Sequence, residues 1–260
     1  MAYTSNIPLS SLTPEERQFA DRISEMAETA DRRGIPKFSA FLDEREQAIA
    51  RSVMRSGGAN CGFWGGYPGA ERAVFYALPD YLDPSDPELF PIRGLTLRYP
   101  RQFSLSHRDF LGALMNLRIK REAIGDILVG EGMAVIFLWE PVFQPVTAEL
   151  VKVGRVGVTL TPGLPPELPR AHSFSEISGT VSSLRLDSVT ALMIRQGRES
   201  AAKLIRSGAV TVNAAVADSV SRHVEAGDKI SVRGYGKFMI QEIGAPTKKD
   251  RLHITCLKYI

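Results

Sequence analysis

Residues 198–213 read RESAAKLIRSGAVTVN, a pattern that predicts a short basic helix stopping at a glycine and turning into a strand. On a helical wheel Ala201, Ala202, Leu204 and Ile205 cover one arc, while Lys203 and Arg206 fall on the other. The apolar arc has to pack, and the basic arc is left facing out. Gly208 stands where a helix C-terminus favours positive φ, a conformation open to a residue without Cβ. A solvated surface would account for each charge singly. Together, Arg198, Lys203 and Arg206 make a surface suited to a polyanion.

The flanking segments complete a small module. In SSLRLDSVTALMIRQG (182–197) Leu186, Val189, Leu192 and Met193 lie within one stripe of a preceding helix. VTVN and KISVRG read as strands of a small sheet, separated by turn signals such as Ala226-Gly227-Asp228. Arg185, Arg198, Lys203 and Arg206 are then expected on one side of two packed helices, with Arg233 and Lys237 extending from the sheet edge. Phosphates carry the charge such a face would neutralise, with affinity falling as salt rises. Arginine can also fork onto phosphate oxygens in a way lysine cannot.

Charge is unevenly spread along the 260 residues. From Ser183 to Ile260 there are 13 Lys+Arg against 7 Asp+Glu, a net of +6, whereas the first 182 residues hold 19 against 22, a net of −3. A basic C-terminal third points to an anionic partner, most often nucleic acid. No apolar run approaches the roughly 18 residues of a membrane span. The N-terminal MAYTSNIPLSS has no basic-then-apolar signal pattern, so the expected compartment is the cytoplasm. Cys61 and Cys256 stand far apart with no CxxC, and the histidines at 107, 172, 223 and 253 make no metal spacing. Neither metal nor cofactor is expected.

Upstream, Thr13-Pro14-Glu15-Glu16 starts a helix with a capping box, and Gly34-Ile35-Pro36 ends it. A second helix begins in FLDEREQ, capped by Asp43 with Glu46 three residues on, and stops at Ser56-Gly57-Gly58. ANCGFWGGYPGAERAVFYALPDYL reads as two strands around a Gly/Pro turn, followed by a boundary in YLDPSDPELFP. From Ile92 the order is a strand (IRGLTLRY), a helix (SHRDFLGALMNL), two strands (GDILV, MAVIFL), a helix over about residues 140–150 and a strand (RVGVTL). That is βαββαβ, the plan of small α+β sandwiches including RNA-recognition modules, here without their aromatic-rich signature. The fold class is therefore α+β. An N-terminal α/β domain (1–85) and an RNA-recognition-like middle domain (86–165) come first. A Pro-rich linker (166–181), a small C-terminal RNA-binding domain (182–245) and a basic tail or strand (246–260) follow.

Several stretches have the letters of catalytic motifs without their context. His107-Arg108-Asp109 lacks the downstream Asn and the DFG of kinases, and reads as a helix start. GFWGGYPGAE contains no GxxxxGK[ST]; its glycines shape a turn or, through exposed amides, an anion nest. Lys120-Arg121 is either a solvated turn or a second RNA contact. Lys248, Lys249 and Arg251 read as a charged, solvated tail.

The block from SSLRLD through LIRSGAVTVN to GDKISVRGYGKF resembles the RNA-binding module named after small-subunit ribosomal protein S-four. FLDEREQ, FWGGYPGAER, LPDYL, HRDFLGALMNLRIKREAIGDILV and TKKDR resemble the bacterial YlmH proteins, so the likeness spans nearly the whole chain. The resemblance implies an RNA-binding protein of the large ribosomal subunit and of tRNA-bearing stalled complexes, acting in ribosome-associated quality control. Its partners would be ribosomal RNA, tRNA and the large subunit, with the protein a monomer. Some members carry names referring to cell division or photosystem II, which give no mechanism. Two positions depart from the family pattern: Gly197 replaces a Ser before Arg198, and Ala214-Ala215 follow Asn213. The competing class is an RNA-modifying enzyme or its accessory, such as a pseudouridine synthase acting on ribosomal RNA. Asp187 in R-L-D reads instead as a helix-start residue, and the chain is expected not to be an enzyme.

Overall fold

The computed structural model describes Ile7 and residues 12–54, 60–170, 174–247 and 251–259. These fall in two compact units, Met1–Ala171 and His172–Ile260. Lys248, Lys249 and the expected helix stop at Ser56-Gly57-Gly58 lie outside the described residues.

In the first unit, α1 (Pro14–Arg33) begins as its sequence requires. Thr13 Oγ1 accepts from the Glu16 amide at 3.2 Å, Glu16 Oε2 accepts from the Thr13 amide at 3.0 Å, and Gly34 closes the helix at φ 63°. The strand β1 (Lys37–Leu42) was not foreseen, because KFSAFL has no regular alternation and buries residues on both faces. The helix α2 (Glu44–Met54) carries the expected Asp43–Glu46 capping pair, at 2.8 and 2.9 Å. β2 (Asn60–Trp64) and β3 (Ala73–Leu78) complete a sheet in the order β1-β3-β2, all antiparallel.

The chain continues through β4 (Ile92–Arg98), α3 (His107–Asn116), β5 (Ile124–Gly130), β6 (Met133–Trp139) and α4 (Glu140–Glu149). A two-residue hairpin, β7 (Lys152–Val153) and β8 (Val156–Gly157), precedes β9 (Thr159–Pro162). The sheet order β5-β6-β4-β9, antiparallel throughout, is the split βαββαβ arrangement.

β6 shows why its sequence, MAVIFLW, is apolar at every position. Ala134, Ile136 and Leu138 enter a core with Phe110 and Leu114 of α3 and Val146 of α4. Val135 and Phe137 point the other way, into a core with Phe41 of β1 and Val74 of β3. The central strand β3 is divided likewise, with Phe75 and Ala77 facing the α1 side of their sheet. Both sheets thus bury one face against helices and share a core across the other, so residues 1–85 and 86–165 belong to one unit. Burying a side chain such as Phe137 is worth about 1.5–3 kcal/mol, and several meet here.

The stretch expected as a linker, residues 166–181, holds one strand and one residue of the shared core. Leu168 packs in the shared core, and just before the stretch Thr96 Oγ1 donates to Gly163 O at 2.8 Å. Residues 174–181 are a strand, β10 (Phe174–Val181), of the second unit. There α5 (Leu186–Ile194) and α6 (Arg198–Arg206) are followed by β11 (Val210–Val212), β12 (Ala215–Val216), β13 (Lys229–Val232), β14 (Gly236–Pro246) and β15 (Leu252–Tyr259). The six strands run in the order β10-β15-β14-β13-β11-β12, every neighbour antiparallel. Ile177 and Val181 of β10 and Ile254 and Cys256 of β15 sit in one core with Leu186, Val189, Met193, Ala201 and Ile205 of the helices. Strands outside 182–245 are therefore integral to this unit. FSEISGTV hid its strand because its outward positions carry Ser, Glu and Thr.

Candidate nucleic-acid interface

The R-L-D opening builds a clamp. Arg185 caps α5 in extended conformation, and the first amides of that helix are taken by backbone carbonyls: Leu186 N by Arg222 O at 2.8 Å, Asp187 N by Val220 O at 3.1 Å. This fixes Asp187 in the first turn, where it is only 7% exposed. Its Oδ1 accepts from the Ser188 amide at 2.9 Å and from Arg185 Nε at 3.2 Å. Its Oδ2 accepts from Arg198 Nη2 at 2.8 Å and Arg185 Nη2 at 3.3 Å. Burial pushes the Asp187 carboxyl up, but hydrogen bonds from Arg185 and Arg198 outweigh it and leave the group below its ordinary value. The two guanidiniums keep 41% and 53% of their side-chain surface open. One buried carboxylate thus joins the starts of α5 and α6 and holds two arginines at the surface.

The other expected contacts divide. Lys203 and Arg206 lie on the exposed arc of α6, opposite the buried Ala201, Ala202 and Ile205. Lys203 stands 3.8 Å from the exposed Glu199, a pair worth little in water. Phe238 is a core residue, so Lys237 beside it in β14 starts from the sheet face turned away from the helices, while Arg233 stands in the turn after β13. Lys237 Nζ lies 5.0 Å from the centre of the Tyr259 ring. The helix-borne cations and Lys237 of β14 therefore lie on opposite sides of the sheet.

Asn213 and Ala214 take φ 50° and 63° in the tight turn between β11 and β12. Asn213 is held by Asp228 Oδ1 at 2.8 Å and by the Lys229 amide at 2.9 Å. Ala214 has no such support in a conformation that costs a residue with a Cβ about 1–2 kcal/mol.

In the first unit Lys120 is open to solvent, 81% exposed, with Glu122 at 3.8 Å. Arg121 is turned inward: its Nη1 donates to Ile124 O at 2.6 Å and Gly125 O at 3.4 Å. Burial and the neighbouring Arg72 charge lower its pKa to about 10. Arg121 is thus neither a solvated turn residue nor an outward cation. The Gly-rich stretch does form an anion nest, but one filled from within. Asp126 accepts from the amides of Glu71 and Arg72 at 2.7 and 3.0 Å and from Tyr67 Oη at 2.7 Å. Gly66, at φ 97°, lies against Phe137 with no room for a Cβ. Asp109 caps α3, taking the Ser106 amide at 2.8 Å and hydroxyl at 2.7 Å, which accounts for the HRD triplet. Among the described residues no cluster of His, Cys, Asp and Glu could hold a metal, and no helix is long and apolar enough to cross a membrane.

Across 243 residues the chain is 35% identical to the ribosome-associated protein quality control protein P2 of Bacillus subtilis, covering 93% of this chain and 94% of that protein. The chain belongs to the YlmH family. A family model described as "Putative RNA-binding domain in YlmH" matches residues 85–163, the stretch that holds the βαββαβ sheet. Among solved structures, the cell division protein YlmH of Streptococcus pneumoniae is similar at 26% identity and a TM-score of 0.50, covering 59% of this chain and 93% of that one. The YlmH likeness found in the sequence is therefore correct. The role of Asp187 was missed: R-L-D shows Asp187 beside Arg185, but its reach to Arg198 depends on how α5 and α6 pack.

Proposed function

We propose that this YlmH-family chain is a non-catalytic RNA-binding protein of the large ribosomal subunit, acting with tRNA in the quality control of stalled translation. The observation that carries the RNA part is the Asp187 clamp, which holds the Arg185 and Arg198 guanidiniums at the starts of two helices. Forked donors fixed in this way suit phosphate oxygens, and a folded RNA is met mainly through its backbone and shape. Lys203 and Arg206 extend that surface along α6. The name of the Bacillus subtilis relative, a ribosome-associated quality control protein, supports the ribosomal part of this reading; the large subunit, the tRNA, a monomeric protein and the cytoplasm belong to the proposal.

The middle region contributes differently from a typical RNA-recognition module. Such modules stack bases on the open face of a four-stranded sheet. Here that face carries Val135 and Phe137 in the core shared with β1 and β3. An RNA contact in this region would come from its loops, with exposed Lys120 the candidate and Arg121 fixing the loop behind it. A pseudouridine synthase would need an Asp open to substrate, and two guanidiniums close off Asp187.

Gradient sedimentation of lysate followed by crosslinking and sequencing of bound RNA tests the proposal. Co-migration with free large subunits, with reads from large-subunit ribosomal RNA and tRNA, is the expected result. A protein confined to the top fractions, or crosslinked mainly to messenger RNA, would refute it.

A further inference from the structure

Beside the clamp, an open groove of ≈ 470 Å³ runs between the end of β10 and the turn joining α5 to α6. It is lined by three arginines, Arg195, Arg198 and Arg251, with Ser182, Ser188 and Gln196 among them, and among the described residues no carboxylate lines it. Arg251 reaches it because β15 pairs with β10, placing Leu252 opposite Val181. Its Nε donates to Thr180 Oγ1 at 3.0 Å and its Nη2 to Thr180 O at 2.6 Å. Both acceptors are neutral, so the guanidinium is fixed in place with its charge uncancelled by them. Arg195 is exposed and closes α5 at φ 54°, a left-handed conformation more natural to glycine or asparagine. Gly197, two residues on, caps α6 without a side-chain acceptor for the first amides of that helix.

We propose that this groove is a phosphate seat that takes a phosphodiester of the bound RNA. Arg251 and Arg195 supply charge from outside the two-helix face, and Arg198 belongs to both. Arg251 held on neutral acceptors, Arg198 held by Asp187 and the exposed Arg195 line one groove, a set of guanidiniums that matches a compact anion with several acceptor oxygens. The groove is large enough to admit the sugars on either side of a phosphate. That the phosphate belongs to RNA rests on the reading in the preceding subsection; that the groove takes phosphate rests on its own lining.

Two measurements on the full chain separate these claims. In the first, the isotope-labelled protein is titrated with inorganic phosphate at constant ionic strength, following the amides of Gly197, Arg198 and Glu199. Saturable shifts are expected in the wild type and lost in the Arg195→Asn/Arg251→Gln double variant. Asparagine is chosen because it tolerates positive φ. Absence of saturable shifts, or their survival in the variant, overturns the seat.

In the second, binding of a structured RNA without terminal phosphates is measured against salt. Each lost phosphate contact lowers the slope of log K against log salt by about 0.7–0.9, and the double variant, which empties a seat for one phosphodiester, loses about that much. Arg32→Gln on α1, which removes one exposed charge elsewhere, leaves the slope unchanged. If Arg251→Gln unfolds the unit, Arg195→Asn alone carries the test, at about half that loss. An unchanged slope with responsive amide shifts overturns the phosphodiester and leaves a seat for free or terminal phosphate. A wild-type chain that binds no RNA refutes the proposed function, while the phosphate titration still decides the seat.

Discussion

Replacing Asp187 by Asn keeps the shape of the clamp and removes its charge. The amide oxygen can still accept from the Ser188 amide, now at 2.9 Å. What is lost is the anion shared by Arg185 and Arg198, at 3.2 and 2.8 Å. Removing one partner of a fully buried pair costs about 3–5 kcal/mol, and an exposed pair is worth about 0–1. Here the carboxylate is buried while both guanidiniums are about half open, so they regain water when it goes. The expected cost is about 2 kcal/mol, between those limits. For a unit of this size that lowers Tm by roughly 10 °C. Calorimetry of the full chain measures it. Tryptophan emission serves as a reference, because the only two tryptophans, Trp64 and Trp139, both belong to the first unit. The guanidiniums stay charged but lose their fixed geometry. Binding at low salt is therefore retained, while preference for structured over single-stranded RNA falls about tenfold, the worth of one charge-assisted hydrogen bond. An unchanged calorimetric Tm, or unchanged discrimination, would show that the clamp neither stabilises the unit nor orients the arginines.

Three further outcomes follow from the same geometry. Arg198→Ala should weaken RNA binding with a stability loss of about 1 kcal/mol or less, since its side chain is half exposed and Arg185 stays on Asp187; full affinity in a folded variant would remove Arg198 from the interface. The folded Asp187 pKa lies below its unfolded value of about 3.9, so its stabilising effect is present above that value and lost as pH falls through the folded one. Urea midpoints should show no Asp187-linked loss between pH 5 and 8 and a fall below about pH 4 that is smaller in Asp187→Asn; equal acid sensitivity in the two proteins would contradict the clamp. Gly66→Ala forces a Cβ into Phe137 at φ 97° and should cost about 2–4 kcal/mol in urea unfolding without changing RNA affinity in protein that remains folded; a cost under about 0.5 kcal/mol would mean the turn is free to move.

What could be read beforehand followed the range of the signals. Capping boxes at Thr13 and Asp43, the Gly34 stop and the α6 wheel are written within a few residues, and the helices appeared where they pointed. The βαββαβ order was legible because each element carries its own period and turn. The strands at 37–42 and 174–181 were not, since neither alternates cleanly and both owe their conformation to distant partners, Ala73–Leu78 and Leu252–Tyr259. For the candidate interface, the exposed arc of α6 was visible in the sequence. The separation of Lys237 from that arc is fixed by which face of β14 is buried. Arg121 was misleading because a basic dipeptide next to a turn gives no sign that one of its members folds back onto backbone carbonyls.

The core shared by the two sheets of the first unit also bears on the protein's own synthesis. Val74 and Phe41 are complete in the growing chain well before Val135 and Phe137 exist to cover them. At about 5–20 residues per second, the roughly 60 residues between β3 and β6 take about 3–12 s to make. During that interval the β1-β3-β2 sheet can pack its α1 side while its opposite apolar face waits uncovered. A pause placed between these strands would lengthen the wait and favour capture by a holding chaperone or pairing with another nascent copy. Slow codons across residues 79–132 are therefore expected to lower the yield of folded protein, although none of those residues need change.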